Sequence, residues 1–193
     1  MTHAHIALSS EVVYQGRIIS VRRDDVTMPG DTTSVREVVV HPGAVGVVAL
    51  NERGEVLLVN QYRHPVARRL DELPAGLLDV EGEPALDAAK RELAEEAGLG
   101  ARTWHVLLDA LTSPGMTDEA IRLFLARDVS VVDRDVQEHE EAELTSAWTP
   151  LEDAVRRALA GELENAMALL GVLAADRAAR DGFAGLRPAD APW

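Results

Sequence analysis

Apolar positions along the chain change their spacing in step with the elements they predict. Val12 to Val26 and Val35 to His41 are rich in β-branched residues and read as strands, with Met28-Pro29-Gly30-Asp31 as the turn. Ala44 to Leu50 and Glu55 to Gln61 flank Asn51-Glu52-Arg53-Gly54 and predict a hairpin. The spacing then becomes helical. Leu86, Ala89, Leu93 and Ala97 form one apolar stripe on a helix over Pro84 to Ala97, with Pro84 suited to the first turn and Gly98 to the left-handed position past the end. His105 to Ala110 and Ala120 to Ala126 return to strand, the second placing Ile121, Leu123 and Leu125 on one face, and Trp148 sits in a further short strand. Leu151 to Ala160 and about Leu163 to Arg180 read as helices. The tail after Asp181 carries Gly182, Gly185, Pro188 and Pro192 and reads as irregular. The expected fold class is α/β, a mixed sheet packed between the first helix and the two C-terminal helices.

Composition narrows the function. The chain has 193 residues and no cysteine, so disulfides, thiol nucleophiles and Cys-ligated zinc are excluded. The formal net charge of −14 argues against a nucleic-acid surface, because affinity for a phosphate backbone needs many Lys and Arg. The longest apolar stretch, Ala166 to Ala175, is too short to span a bilayer, and the N-terminal residues lack a basic start followed by an apolar run. A soluble cytoplasmic protein is expected, with no membrane partner. An anionic substrate would need local cations, and Arg63, Arg68 and Arg69 cluster just before the helix.

The other face of that helix carries the chemistry. Glu92, Glu95 and Glu96 occupy an arc of roughly 100° beside the apolar stripe. Like charges three and four residues apart repel by a few tenths of a kcal/mol each, and glutamates in a last turn oppose the helix dipole. Arg91 lies at i,i+4 to Glu95 and is placed to neutralise it, leaving Glu92 and Glu96 for divalent cations. Mg²⁺ suits them: a hard ion with oxygen ligands at about 2.0 to 2.1 Å that shares itself with substrate phosphates. Two such ions can clamp a phosphoryl transfer and lower the pKa of a bound water.

Solvated helix faces also carry Glu pairs near Arg. The wider pattern is more specific, because Gly76, Glu83, Arg91, Glu92, Leu93, Glu95, Glu96, Gly98 and Leu99 resemble the Nudix box, G-x5-E-x7-R-E-U-x-E-E-x-G-U with U aliphatic. Six residues rather than five separate Gly76 from Glu83; the extra one falls in the loop before the helix and leaves the carboxylate register unchanged. The resemblance implies an α/β/α sandwich and metal-dependent hydrolysis of a phosphoanhydride. It also implies a catalytic domain over residues 44–181, with an N-terminal β extension over 1–43 and a tail over 182–193.

Sequence outside the box resembles the ADP-ribose pyrophosphatase branch of that family. The run Gln61-Tyr62-Arg63-His64 with Glu72-Leu73-Pro74-Ala75-Gly76 is similar to its strand and loop, and Ser113-Pro114-Gly115-Met116-Thr117-Asp118-Glu119 places Pro114 fifteen residues beyond Leu99. An ordinary turn would also explain Pro114-Gly115, and a strand end would explain Arg63. The resemblance implies that Arg63 holds the diphosphate, that Glu72, Pro114 and Glu119 belong to the substrate site, and that Arg36 reaches the adenosine end. It further implies the Ala75 backbone carbonyl, Glu92 and Glu96 as metal ligands, with Arg91 and Glu95 in the catalytic set.

Hydrolysis also needs a group to orient or deprotonate the attacking water. The acidic run Gln137-Glu138-His139-Glu140-Glu141-Ala142-Glu143 lies where related enzymes take it from a loop. Glu141 is the preferred base, with Glu140 and Glu143 as second candidates and Glu143 as a further metal ligand. The expected reaction is Mg²⁺-dependent cleavage of ADP-ribose to AMP and ribose 5-phosphate, with Mn²⁺ as substitute, in a homodimer built on the N-terminal strands. Alternatives are another nucleoside diphosphate derivative as substrate, or a non-catalytic ADP-ribose sensor.

Overall fold

A computed structural model describes residues 4–133 and 143–193. The chain divides into two compact units, one comprising Met1–Gly43 with Leu111–Ala120, the other Ala44–Ala110 with Ile121–Trp193.

The first unit is an antiparallel sheet in the order β1 (Ala7–Gln15), β2 (Ser20–Met28), β3 (Thr32–Val40). The stretch Val12 to Val26, read as one strand signal, is two strands. The chain reverses between them, and the Gly16 N–H donates to the Ile19 carbonyl at 2.8 Å. A bridge joins Val39 to Thr117, and the Asp118 carboxylate accepts from the His41 N–H at 2.9 Å.

The second unit runs β4 (Ala44–Ala49), β5 (Glu55–Arg63), a 3-10 turn (His64–Val66), β6 (Arg68–Glu72), β7 (Ala75–Leu77), α1 (Ala85–Ala97), β8 (Leu99–Leu111), β9 (Ala120–Val131), β10 (Thr145–Pro150), α2 (Leu151–Leu159), α3 (Ala166–Arg180) and β11 (Arg187–Pro188). Five strands form a mixed sheet, β11-β8-β9-β4-β7, in which β4 is parallel to β9 and antiparallel to β7. Three more form the antiparallel sheet β10-β5-β6.

The turn after β4 forms as expected, with the Asn51 carbonyl oxygen of the side chain accepting from the N–H groups of Arg53 and Glu55. Its two arms do not make a hairpin ladder. Only Leu50 and Val56 bridge, because β9 and β7 take the two edges of β4 while β6 and β10 take those of β5. A strand has two edges, and partners distant in sequence fill them here.

Alternation along β4 divides the core into two layers. Val48 and Leu50 face Leu151, Ala154, Ala168, Val172 and Ala175 of α2 and α3. Val45, Val47 and Ala49 face Ala88, Ala89 and Leu93 of α1. The unit is therefore the expected α/β/α sandwich around a mixed sheet. Leu93 is fully buried between α1 and that sheet. Leu93→Ala should lower unfolding free energy by about 2–5 kcal/mol through lost burial and the cavity left behind, read from urea denaturation.

Candidate active site

Gly98, at φ 63°, ends α1 in the left-handed conformation, and its N–H bonds back to Ala94 and Leu93 carbonyls. With Leu93 locked in the core, the neighbouring turn presents Glu92 and Glu96 toward β7. Glu96 is buried, at 8% exposure, and its side chain accepts the Ala75 N–H at 3.0 Å. Glu92 lies across Gly76, where a Cβ would come within 1.9 Å of Glu92 Oε1. Glycine is required there by space: the backbone of β7 and a helix carboxylate occupy adjoining volume. Pairing of Gly76 with Val45 holds β7 in that position.

Arg91 gathers the remaining carboxylates. Its Nε and Nη2 donate to the two Glu83 oxygens at 3.1 and 3.0 Å, while Nη1 donates to Glu92 at 2.7 Å and Glu95 at 3.1 Å. The expectation that Arg91 serves Glu95 and leaves Glu92 to cations alone is thus corrected. A guanidinium has five N–H donors in a planar fork, and here they reach three glutamates. Hydrogen bonds from Arg91 hold the Glu83 carboxyl below the usual carboxylate range, and those same bonds, opposed by burial, raise the Arg91 pKa. Sequence reasoning had no partner for Glu83; the only signal was its fixed place in the motif.

On β5 and β6, Arg63 donates to both Glu72 oxygens at 3.0 and 2.7 Å, and Glu72 is buried. Arg157 of α2 donates to Asp71, bracing β6. Burial pushes the Asp71 carboxyl up, but hydrogen bonds from Arg157 and Asn60 outweigh it and leave the pKa lowered. Arg69 bonds the Glu143 carbonyl at 2.8 Å and lies 3.5 Å from its carboxylate. Glu140 and Glu141 lie outside the described residues.

Arg36, Pro114 and Glu119 belong to the first unit. Arg36 sits within β3, opposite Asp24, and it donates to Ser34 Oγ at 2.6 Å. Glu119 accepts the Thr112 hydroxyl, and its other oxygen lies 3.6 Å from His41 Nδ1.

The donor set at α1 suits a hard divalent cation: adjacent carboxylates at i and i+4 beside a strand backbone, on a site where Cβ is excluded. Among the described residues no three His, Asp or Glu side chains converge as a metal cluster. Glu92 and Glu96 are instead turned to N–H donors of the protein.

Comparison with known proteins gives this geometry its context. The NUDIX domain model matches residues 40–170, most of the chain. The chain belongs to the Nudix family. Residues 7–39 match the nucleoside diphosphate sugar hydrolase N-terminal domain. An ADP-ribose pyrophosphatase of Mycobacterium tuberculosis is 50% identical over 191 residues, covering 99% of this chain and 92% of that protein. One from Bacillus subtilis is 38% identical over 151 residues, 77% of this chain and 80% of its own length. A crystal structure of an ADP compounds hydrolase superposes with a TM-score of 0.81 at 22% identity, covering 95% of this chain and 98% of its own, which shows the shared Nudix fold. Nudix hydrolases generally use a divalent metal.

Two predictions follow from this geometry. Gly76→Ala should displace Glu92 and weaken divalent-cation binding at least about tenfold while the fold survives, checked by calorimetric Mn²⁺ titration alongside circular dichroism. The lowered Glu83 pKa gives stability that is fully present above its unfolded value of about 4.3 and is lost as pH falls through the folded value. The difference in unfolding free energy between wild type and Glu83→Gln should therefore be largest at neutral pH and fade in acid, measured by urea denaturation across that range.

Proposed function

We propose that the chain hydrolyses the diphosphate of ADP-ribose, releasing AMP and ribose 5-phosphate, with Mg²⁺ as its cation and Mn²⁺ as substitute. The observation that carries this reading is the α1 arrangement of Arg91, Glu92, Glu95 and Glu96 against Ala75 and Gly76. The near full-length likeness to a mycobacterial ADP-ribose pyrophosphatase supports the choice of substrate.

Glu92, Glu96 and the Ala75 carbonyl would hold the cation, with Glu143 as a further ligand. When bound it supplies charge neutralisation at the diphosphate and a more acidic water. Arg91 orients Glu92 and Glu95 through hydrogen bonds. Arg63 would hold phosphate oxygens while its bidentate link to Glu72 is kept. Glu72 stays beside it to set the angle of the guanidinium. Glu141, with Glu140 and Glu143 as the other candidates, accepts the proton of the attacking water. Pro114, Glu119 and Arg36 are the further substrate-binding residues of this reading, Arg36 for the adenosine.

A homodimer on the first unit is part of this reading. Ile6, Leu8, Val12, Val13 and Tyr14 on and beside β1 are all exposed, a density of large apolar side chains that suits burial against a second copy. Small-angle scattering should return a dimeric mass; a monomer at all concentrations would refute it. No described helix is long and apolar enough to cross a membrane.

Initial rates with ADP-ribose, GDP-mannose, UDP-glucose, diadenosine polyphosphate and 8-oxo-dGTP, each with Mg²⁺ and with EDTA, test the activity. EDTA-sensitive release of AMP and ribose 5-phosphate, fastest from ADP-ribose, is the expected result. Faster turnover of another compound would overturn the substrate. Glu92→Gln should abolish turnover in a folded protein, and Glu141→Gln should lower kcat by at least about 10² if it is the base. A loss under about tenfold would remove Glu141 from that role.

A further inference from the structure

At the end of the mixed sheet away from Gly76, the second unit holds a cavity of about 310 Å³ whose lining includes Leu50, Glu52, Arg127, Asp128, Leu151 and Phe183. Gly76 pairs with Val45 near the start of β4, and Leu50 lies five residues beyond Val45, roughly 16 Å further along the chain.

Arg127 is the notable wall. Its guanidinium carbon stacks 4.2 Å from the centroid of the Phe183 ring. Its Nε is buried and has no hydrogen-bond partner among the described residues. Leaving such a donor unmade costs about 1–3 kcal/mol, more for a charged group. The two carboxylates on the same wall do not relieve it. Asp128 is held in the left-handed region at φ 55° and accepts the Thr103 hydroxyl, while Glu52 sits out on the exposed β4–β5 turn. Stacking on Phe183 orients the fork and keeps it from collapsing onto its neighbours.

The chemistry is specific in combination. A guanidinium stacked by one face on Phe183 presents the N–H groups of its edge to an oxyanion. The Glu52 and Asp128 carboxylates on the lining can accept hydroxyl donors. Leu50, Leu151 and Ala179 offer an apolar face to carbon-bound hydrogens. A small sugar phosphomonoester has one doubly charged end, several hydroxyls and an apolar ring face. We propose that this cavity is a second binding site, separate from the catalytic one, for a small sugar phosphomonoester held by Arg127. Its existence does not depend on the proposed reaction; ribose 5-phosphate, a product of that reaction, is the natural probe because a site that senses it would couple turnover to product level.

The test is a titration by ¹H–¹⁵N NMR with ribose 5-phosphate up to about 10 mM, following the Gly54 amide at the cavity and the Gly76 amide at α1. Wild type and Glu92→Gln should show the same saturable shift at Gly54, and Arg127→Met should weaken it at least about tenfold. Arg127→Lys, which keeps the charge without the fork, should also weaken it and stands in if the Met variant fails to fold. Inorganic phosphate should bind more weakly than the sugar phosphate, and ribose not at all. Shifts confined to Gly76, or an affinity unchanged in both Arg127 variants, would overturn the site. Equal affinity for inorganic phosphate would overturn the sugar as its occupant. Because the readout is binding in an inactive variant as well as wild type, failure here leaves the proposed hydrolysis standing, and failure of that hydrolysis leaves this site standing.

Discussion

One guanidinium makes the charged face of α1 tenable. Glu92, Glu95 and Glu96 crowd the last turn and a half of a helix whose dipole disfavours them, and Glu83 lies just before its start. Arg91 bonds three of these four, bidentate to Glu83 and singly to Glu92 and Glu95. The fourth, Glu96, takes the Ala75 N–H instead. Each carboxylate that serves a cation must be aimed, and its aim rests on donors fixed elsewhere. The bidentate link to Glu83 anchors the far side of the fork, so Arg91 cannot swing wholly onto any one of its neighbours.

That arrangement works only because the helix and β7 approach unusually closely. Gly76 has no side chain to hold them apart, and Leu93 pins the helix from below. β4 ties the two halves together: one of its edges positions β7 beneath the carboxylates, while its two faces bury α1 on one side and α3 on the other. Its opposite end borders the Arg127 cavity. A single buried strand thus spans both places where the second unit concentrates chemistry.

Much of the candidate site was legible because it is local. The stripe Leu86, Ala89, Leu93, Ala97, the stop at Gly98 and the arc of glutamates lie within one helix, where periodicity fixes which residues share a face. The contact of Arg91 with Glu95 follows from i,i+4 geometry, whereas its reach to Glu83 does not, since Glu83 lies outside the helix and its position depends on how the preceding loop turns. Arg63 with Glu72, and Asp71 with Arg157, are cross-strand and strand-to-helix pairs. No spacing rule joins residues 86 positions apart.

By itself the sequence determined the α/β class, the helix and its acidic face, the turn at Asn51–Gly54 and the absence of any thiol chemistry, because each depends on neighbours a few residues away or on composition. Only the tertiary structure decided which strands share edges. Ala44 to Leu50 and Glu55 to Gln61 read as a hairpin because their connection is short, but each is apolar on both faces and so sits centrally between partners brought from elsewhere. Strand pairing is settled by which edges are left once both faces are buried, and that competition runs across the whole chain. The same holds for Arg127: a residue near the end of β9 becomes a distinctive cation only when α3 ends and delivers Phe183 against its guanidinium.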